Sequence, residues 1–187
     1  RMRARENIIP VFVPNLGCPN ECVFCNQRRI SGSESSATAQ TVKDAIEQAA
    51  ALPLTGAERQ LAFYGGSFTA IPVCEQTALL GAAKEYLDRG EIASIRLSTR
   101  PDAIDAPTLE RLRRFGVETI ELGAQSMDDR VLELSGRGHS AADVENAARM
   151  VKAAGFRLIL QMMTGLPGDS DESCVESARR IIALEPD

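Results

Sequence analysis

The chain has 187 residues and a net charge of −5 at pH 7. This length corresponds to one domain that is large enough to bury a substantial core. The sequence contains no run of about 18 apolar residues, which excludes a membrane-spanning helix. The negative charge argues against nucleic-acid binding by this chain alone, because contacts to phosphates need a basic surface.

Strand and helix patterns alternate along the chain. Five short segments are apolar and rich in β-branched residues, as buried strands are: 7–13, 60–64, 92–98, 117–122 and 156–163. Each is followed by one or two helical segments: 38–52, 72–89, 107–116, 128–134 with 140–154, and 171–184. Strands separated by helix-length segments form right-handed βαβ units. We therefore predict a parallel sheet of five strands that curls into part of an α/β barrel.

Three cysteines near the N-terminus, Cys18, Cys22 and Cys25, have the spacing C-x3-C-x2-C. Cysteine thiolates are the usual ligands of iron–sulfur clusters, and a cubane cluster normally takes four of them. The next cysteine is Cys74, far along the chain. Three protein ligands leave one iron open to a substrate or cofactor, so the spacing favours a catalytic cluster over an electron carrier.

Three other interpretations of these cysteines are weaker. A disulfide set disagrees with the odd total of five cysteines, in a chain for which we expect no secretory leader. A zinc site could add His139 to the three thiolates, but it would leave the rest of the chain unexplained. Buried structural thiols do not fit the polar run Pro19-Asn20-Glu21 between the first two cysteines.

Further candidate site segments directly follow the other predicted strands. They are Gly65-Gly66 after the second strand, 98–100 after the third, Gln125 after the fourth and 165–167 after the fifth. Ligands of parallel sheets bind at the carboxyl ends of the strands. Together with the cysteines after the first strand, these segments predict a ligand site on one rim of the barrel.

Several runs, in this order, resemble those of the radical S-adenosylmethionine (SAM) superfamily. The cysteine segment, with Phe24 just before Cys25, resembles its cluster loop, and 64–68 resembles its Gly-Gly motif. The runs 97–102, 121–126, 135–139 and 161–168 resemble the branch that includes the elongator catalytic subunit. The anaerobic coproporphyrinogen dehydrogenase branch is similar but more distant. The resemblance covers nearly the whole chain.

The resemblance implies a TIM-like (βα)6 radical SAM barrel with six strands. We expect residues 1–187 to be a radical SAM core domain that is truncated after the fifth βα unit. The chain starts at Arg1 rather than Met, and it stops at Asp187, where a strand would be expected. The sixth strand would then lie beyond Asp187.

The resemblance also implies a function. A 4Fe-4S cluster on Cys18, Cys22 and Cys25 would bind SAM at its open iron and cleave it reductively, which releases a 5′-deoxyadenosyl radical for substrate C–H activation. The elongator branch implies modification of a tRNA wobble uridine. The alternatives are a tetrapyrrole substrate, or a non-catalytic iron–sulfur or zinc redox module. We expect a cytoplasmic enzyme whose partners are a reductant protein of the flavodoxin or ferredoxin type and, through segments outside this chain, tRNA.

The same resemblance implies the residues that bind SAM. The candidates are Phe24, Gly65, Gly66, Ser98, Gln125, Arg137 and Gln161. Gln125 and Arg137 align with residues that touch the ribose and the carboxylate of SAM. Ser98 and Gln161 stand where the coproporphyrinogen branch has carboxylates. The two glycines could instead form only a tight turn, and Phe24 could only pack against the barrel mouth.

The remaining candidates have weaker assignments. Arg100 could bind substrate or simply pair with Asp102, and the sequence favours neither role. The methionines at 162–163 fit the core or a pocket wall better than a ligand role. Cys74 and Cys174 are predicted to be helix thiols, because neither belongs to a cluster with ligand spacing.

Overall fold

The computed structural model describes residues 7–13, 22–25, 37–53 and 58–187. Within these residues the strands are β1 Asn7–Phe12, β2 Arg59–Tyr64, β3 Ser94–Thr99, β4 Val117–Gln125 and β5 Arg157–Met162. The α-helices there are α1 Ala39–Ala50, α2 Val73–Asp88, α3 Ala106–Arg114, α4 Asp129–Leu134, α5 Ala141–Ala153 and α6 Asp171–Ala183. Short 3₁₀ helices, Phe68–Ala70 and Pro101–Ala103, follow β2 and β3.

The five strands form one parallel sheet in chain order, β1-β2-β3-β4-β5. At least one helix lies between each pair of successive strands in the sequence, as the periodicity predicts. This arrangement confirms the predicted α/β fold with part of a TIM-like barrel. It also places the carboxyl ends of all five strands on one rim.

Strand β4 is longer than predicted. The apolar pattern ends at Leu122, whereas the strand continues to Gln125. Pairing with β5 explains the extension, because Gly123 pairs with Gln161 and Gln125 pairs with Met162. The register shifts between Gly123 and Gln125, as in a β-bulge. Such an irregularity re-aims side chains at the end of a strand.

One face of the sheet, which we call the outer face, packs on the helices and is apolar. Its buried strand residues are Ile9, Val11, Leu61, Phe63, Ile95, Leu97, Ile120 and Leu122. The helix residues in the same core include Val42, Ile46, Leu79, Leu80, Leu112 and Val151. Burying one such side chain stabilises a fold by about 1.5–3 kcal/mol. The outer face is therefore the main source of stability.

The opposite face, which we call the inner face, carries polar side chains. Alternation along the strands places Tyr64, Arg96, Ser98, Glu121 and Gln161 on it. Arg96 and Glu121 are only 7% and 6% exposed, and Arg96 Nη1 lies 3.2 Å from Glu121 Oε1. The cost of removing both charges from water offsets most of the attraction in such a buried pair, so the inner face contributes less to stability than the outer face.

Side-chain caps fix where most helices begin. Thr38, Ser140 and Ser170 each form a capping box with the third residue of α1, α5 and α6, respectively. Asp105 and Asp128 accept backbone N–H groups at the starts of α3 and α4. No helix in the described parts of the chain is both long and apolar enough to cross a membrane.

Candidate functional site

Two of the three predicted cluster ligands, Cys22 and Cys25, lie in one tight turn. Cys25 N donates to Cys22 O at 2.9 Å, and Val23 N donates to Ser135 O at 3.1 Å, which ties the turn to the connection between α4 and α5. Cys22 is 5% exposed, whereas Cys25 is half-buried. Cys18 lies outside the described residues. The turn therefore places two of the predicted ligand residues close together in the backbone, and ligation of a cluster by all three stays a prediction.

Arg137 links this turn to the carboxyl end of β4. Its Nη1 lies 3.6 Å from Cys22 Sγ, and its Nη2 donates to Gly123 O at 2.6 Å. Its Cζ lies 5.8 Å from the centre of the Phe24 ring. Arg137 is itself only 8% exposed. Cys22, Phe24, Gly123 and Arg137, which come from distant segments of the sequence, thus meet at the rim.

Gly123 leaves the room that this arrangement needs. A Cβ atom at Gly123 would lie 3.0 Å from Gln125 Nε2 and 3.2 Å from Arg137 Nη2. Both distances are shorter than ordinary van der Waals contact, so a larger residue would displace the two side chains. The glycine therefore allows Gln125 and Arg137 to approach the same stretch of β4.

Gln125 combines a left-handed backbone conformation with a buried side-chain acceptor that lacks a hydrogen-bond partner among the described residues. Its φ is 67°, in the left-handed region that non-glycine residues seldom adopt. Its backbone carbonyl accepts from Met163 N at 2.9 Å, which anchors the end of β5. Its buried Oε1 has no hydrogen-bond partner among the described residues. Strained backbone conformations and unsatisfied buried acceptors are found more often at functional sites than elsewhere in a protein.

His139 packs against the same strand. Its Nε2 lies 3.2 Å from Ala124 O, and because a carbonyl oxygen only accepts, Nε2 carries the proton. Burial, followed by the positive charge of Arg137, lowers the pKa of His139 to about 4, so the ring is neutral at pH 7. Residues 7–13, 22–25, 37–53 and 58–187 contain no group of three or more His, Cys, Asp or Glu that could hold a metal. The zinc alternative also needs Cys18, which lies outside these residues, so it stays untested.

Arg100 is paired with Asp102. Arg100 Nε and Nη2 donate to the two carboxylate oxygens of Asp102 at 2.9 and 2.8 Å. Nη2 also donates to Arg137 O at 2.8 Å, and Arg100 is 4% exposed. The structure thus contains the pairing that was one of the two sequence alternatives, and it gives Arg100 a part in holding the Arg137 backbone. A substrate contact for Arg100 stays a prediction.

The Gly65-Gly66 pair forms the turn after β2. Gly65 has a φ of 97°, and a Cβ there would lie 3.1 Å from Phe12 Cδ1 and 3.3 Å from Val13 O. Glycine is therefore required at position 65 both by its backbone conformation and by the close approach of β1. The tight-turn role is present, whereas contacts of Gly65 and Gly66 with SAM stay predictions.

Ser98 and Gln161 lie on either side of a buried carboxylate, Glu121. Ser98 is the register partner of Glu121 on β3, and Gln161 Nε2 donates to Glu121 Oε2 at 2.7 Å. Tyr64 OH donates to Glu121 Oε1 at 3.0 Å. Burial is the main cause that raises the pKa of Tyr64, so the phenol keeps its proton. We call Tyr64, Arg96, Glu121 and Gln161 the inner cluster.

Glu121, Tyr64 and Arg96 were not predicted from the sequence as site residues. Glu121 appeared there only as part of a motif, although it is a charged residue inside an apolar strand run, Thr119-Ile120-Glu121-Leu122. The sequence signal that could have identified Glu121 was its charge at a strand position between buried apolar positions. Arg96, between Ile95 and Leu97, gives the same signal. The contacts of Glu121 could not be predicted in this way, because its partners lie on three other strands.

The two cysteines outside the N-terminal motif are helix thiols, as predicted. Cys74 is exposed in α2. Cys174 lies in α6, and its Sγ donates to Asp169 Oδ2 at 3.0 Å. This hydrogen bond to a carboxylate raises the pKa of the Cys174 thiol. Gly165 N donates to the same carboxylate oxygen at 3.1 Å, so Asp169 organises the turn after β5.

Known proteins resemble this chain in sequence and fold. A tRNA uridine(34) acetyltransferase of Dehalococcoides mccartyi is 26% identical over 212 residues, which cover 96% of this chain and 46% of that protein. The structure of Methanocaldococcus infernus Elp3 with an N-terminal deletion has a similar fold, with a TM-score of 0.70 and 21% sequence identity. The match covers 96% of this chain and 42% of the Elp3 chain.

A third match is the coproporphyrinogen III oxidase HemN of Escherichia coli, described as a radical SAM enzyme. The match covers 98% of this chain and 43% of the HemN chain, with a TM-score of 0.65 and 21% sequence identity. These matches agree with the two branches that the sequence motifs resemble. This chain spans about half the length of the curated relatives it matches.

A match to a family profile along most of the chain identifies its family. Residues 12–181, most of the chain, match the profile of the Radical SAM superfamily. The match includes the cysteine motif and every rim segment described above. The chain therefore belongs to the Radical SAM superfamily of enzymes.

Proposed function

We propose that the rim of this barrel holds a 4Fe-4S cluster through Cys18, Cys22 and Cys25 and binds SAM beside it. The observation that carries this proposal is the convergence of Cys22, Arg137 and Gln125 at the carboxyl end of β4. A bound cluster would supply the electron for reductive cleavage of SAM, and this cleavage would provide the radical chemistry for hydrogen abstraction from the substrate.

The chemistry of the described residues fits these cofactors. Thiolates are the usual ligands of iron–sulfur clusters, and Cys22 and Cys25 offer two thiols from one turn. The guanidinium of Arg137, 3.6 Å from Cys22 Sγ, would offset the negative charge of a bound thiolate. Gln125 Oε1 is a buried acceptor that has no partner among the described residues and would accept from a ligand hydroxyl.

Each rim residue then has a separate task. Arg137 is assigned to the carboxylate of SAM, because a guanidinium matches a carboxylate by parallel, charge-assisted hydrogen bonds. Gln125 is assigned to the ribose. Phe24 is assigned to the adenine, since its ring lies beside Cys25 in sequence and near Arg137 in space. Gly65 and Gly66 would let their backbone approach the amino group of SAM.

For the substrate we propose a uridine of tRNA. The support is the 26% identity with a tRNA uridine(34) acetyltransferase along 96% of this chain. Because the net charge is −5, we assign the main tRNA contacts to segments outside this chain. An electron donor protein of the flavodoxin or ferredoxin type would reduce the cluster.

The test is anaerobic reconstitution followed by reduction with dithionite in the presence of SAM. We expect about four iron and four sulfide per chain, and formation of 5′-deoxyadenosine and methionine even without substrate. Cys22→Ala should abolish both results, whereas Cys74→Ala, a matched change of an exposed helix thiol, should change neither. Zinc without sulfide, or an intact cluster that never cleaves SAM, would contradict the proposal.

A further inference from the structure

Glu121 is a buried carboxylate that receives hydrogen bonds from three other strands. Tyr64 of β2 and Arg96 of β3 donate to its Oε1, at 3.0 and 3.2 Å. Gln161 of β5 donates to its Oε2 at 2.7 Å. Glu121 thus joins four neighbouring strands through its side chain, which no apolar residue at this position could do.

The contact with Gln161 fixes which end of the Gln161 amide faces Glu121. An ionised carboxylate only accepts hydrogen bonds, whereas an amide has a donor end and an acceptor end. The NH2 group must therefore face Glu121, and Oε1 must face away from it. Gln161 is half-buried rather than enclosed.

Gln161 also lies nearer the rim than Glu121. Its register partner on β4 is Gly123, two residues closer to the carboxyl end than Glu121. Gly123 is the residue whose carbonyl accepts from Arg137. The backbone of Gln161 is therefore at the level of β4 where the proposed SAM site is built.

We propose that Glu121 is a positioning residue that orients the Gln161 amide, so that Gln161 Oε1 accepts a hydrogen bond from a hydroxyl or amino group of bound SAM. This inference rests on the proposed function of the rim. Tyr64 and Arg96 hold the Glu121 carboxylate in turn, because they occupy its other oxygen. Glu121 itself does not touch the ligand in this arrangement.

The variant Glu121→Gln tests this role without changing the size of the side chain. The glutamine introduced there can still accept from Tyr64 and Arg96 through its one oxygen, but its NH2 group then faces Gln161. The Gln161 amide must turn over to accept this bond, and its NH2 group then faces the ligand. We expect SAM binding to the cluster-loaded protein, measured by equilibrium dialysis before reduction, to weaken about tenfold, as for one lost hydrogen bond.

The exchange variant Glu121→Gln with Gln161→Glu should restore binding to within about threefold. The introduced amide on β4 donates to the introduced carboxylate on β5 in that protein, and the second oxygen of this carboxylate is again an acceptor facing the ligand. Glu118→Gln is the matched control, since Glu118 is an exposed carboxylate of the same strand with an arginine partner 3.7 Å away. It should bind SAM as the wild type does.

Three outcomes would overturn the proposal. Unchanged SAM affinity in Glu121→Gln would show that the amide orientation does not matter. An exchange variant that is folded but not restored would assign Glu121 a structural role only. If Glu121→Gln does not fold, the wild type still decides the question: NMR should show one side-chain amide proton of Gln161 shifted downfield by its carboxylate partner, and its absence would contradict the orientation. A wild type that does not bind SAM at all would instead contradict the proposed function of the rim.

Discussion

The two faces of the same sheet differ in the polarity of their buried side chains. On the outer face, β2 contributes Leu61 and Phe63, which are 0% and 1% exposed and pack on helices. On the inner face, the same strand contributes Tyr64, whose hydroxyl is bonded to Glu121. Neighbouring residues of one strand thus belong to an apolar core and to a polar cluster. The difference follows from the alternation of side chains along a strand.

This contrast separates stability from function. A buried apolar side chain stabilises the fold directly, whereas a buried ion pair such as Arg96–Glu121 loses most of its attraction to desolvation. Replacing the inner cluster with apolar residues would cost little stability. Folding therefore does not explain the polar residues of the inner face, and we propose that they serve the SAM site at the rim above it, which contains Arg137 and Gln125.

The largest expected effect comes from breaking the outer face. Phe63→Ala removes a ring that is 1% exposed and lies 4.8 Å from the Phe68 ring, centre to centre. We expect the free energy of unfolding to fall by about 3–5 kcal/mol, as for other large-to-small core changes. Urea denaturation followed by circular dichroism measures it.

The adjacent inner-face change, Tyr64→Phe, is the matched control for that prediction. It removes only the hydroxyl that donates to Glu121, so the loss should be about 1 kcal/mol. Equal losses from Phe63→Ala and Tyr64→Phe would show that the two faces contribute alike to stability, and the contrast between them would be wrong.

The next largest effect should appear in SAM binding rather than in folding. Arg137→Ala removes the cation between Cys22 and Gly123, and we expect SAM affinity to fall by about 2–4 kcal/mol, or about 30- to 1,000-fold. Arg113→Ala is the control, because Arg113 is exposed on α3 and caps α5 through Ala154 O. Similar losses in both variants would mean that Arg137 is not in the SAM site.

The fold and the rim could be predicted from the sequence, but the contrast between the two faces could not. The strand and helix order followed from the periodicity, and the rim followed from the candidate segments that stand directly after each strand. Partners across strands could not be predicted, since the Arg137–Gly123 and Glu121–Gln161 contacts depend on register. The left-handed backbone of Gln125 was equally out of reach, because only pairing with β5 extends β4 to that residue.

A third prediction concerns His139 and pH. The pKa of His139 is lowered from 6.5 to about 4 in the folded protein. Between pH 4 and pH 6.5, His139 is therefore protonated in the unfolded chain but not in the folded protein. Stability from this group is therefore fully present above about pH 6.5 and is lost as the pH falls toward 4, by on the order of 2–3 kcal/mol. Denaturation curves at several pH values measure the loss.

His139→Gln keeps an N–H donor for the Ala124 carbonyl but does not titrate in this range. The difference in unfolding free energy between wild type and His139→Gln should therefore shrink or reverse as the pH falls from 6.5 to about 4. A difference that stays constant across this range would mean that His139 is protonated equally in the folded and unfolded states, and that it is not a buried neutral ring.

The smallest expected effect tests the space at the rim most directly. Gly123→Ala places a methyl group 3.0 Å from Gln125 Nε2 and 3.2 Å from Arg137 Nη2, and both atoms are the ends of side chains that can move. Stability should change by less than about 1 kcal/mol, while SAM binding should weaken by about 1 kcal/mol, or roughly fivefold, because both proposed ligand contacts shift. Gly81→Ala, inside α2, is the control: its methyl would lie 3.9 Å from Phe115 Cε1, so it should stabilise the helix by about 0.5–1 kcal/mol and leave SAM binding unchanged. Isothermal titration of SAM and denaturation of both variants distinguish the two glycines, and a Gly123→Ala protein that binds SAM as tightly as the wild type would place Gln125 and Arg137 outside the binding site.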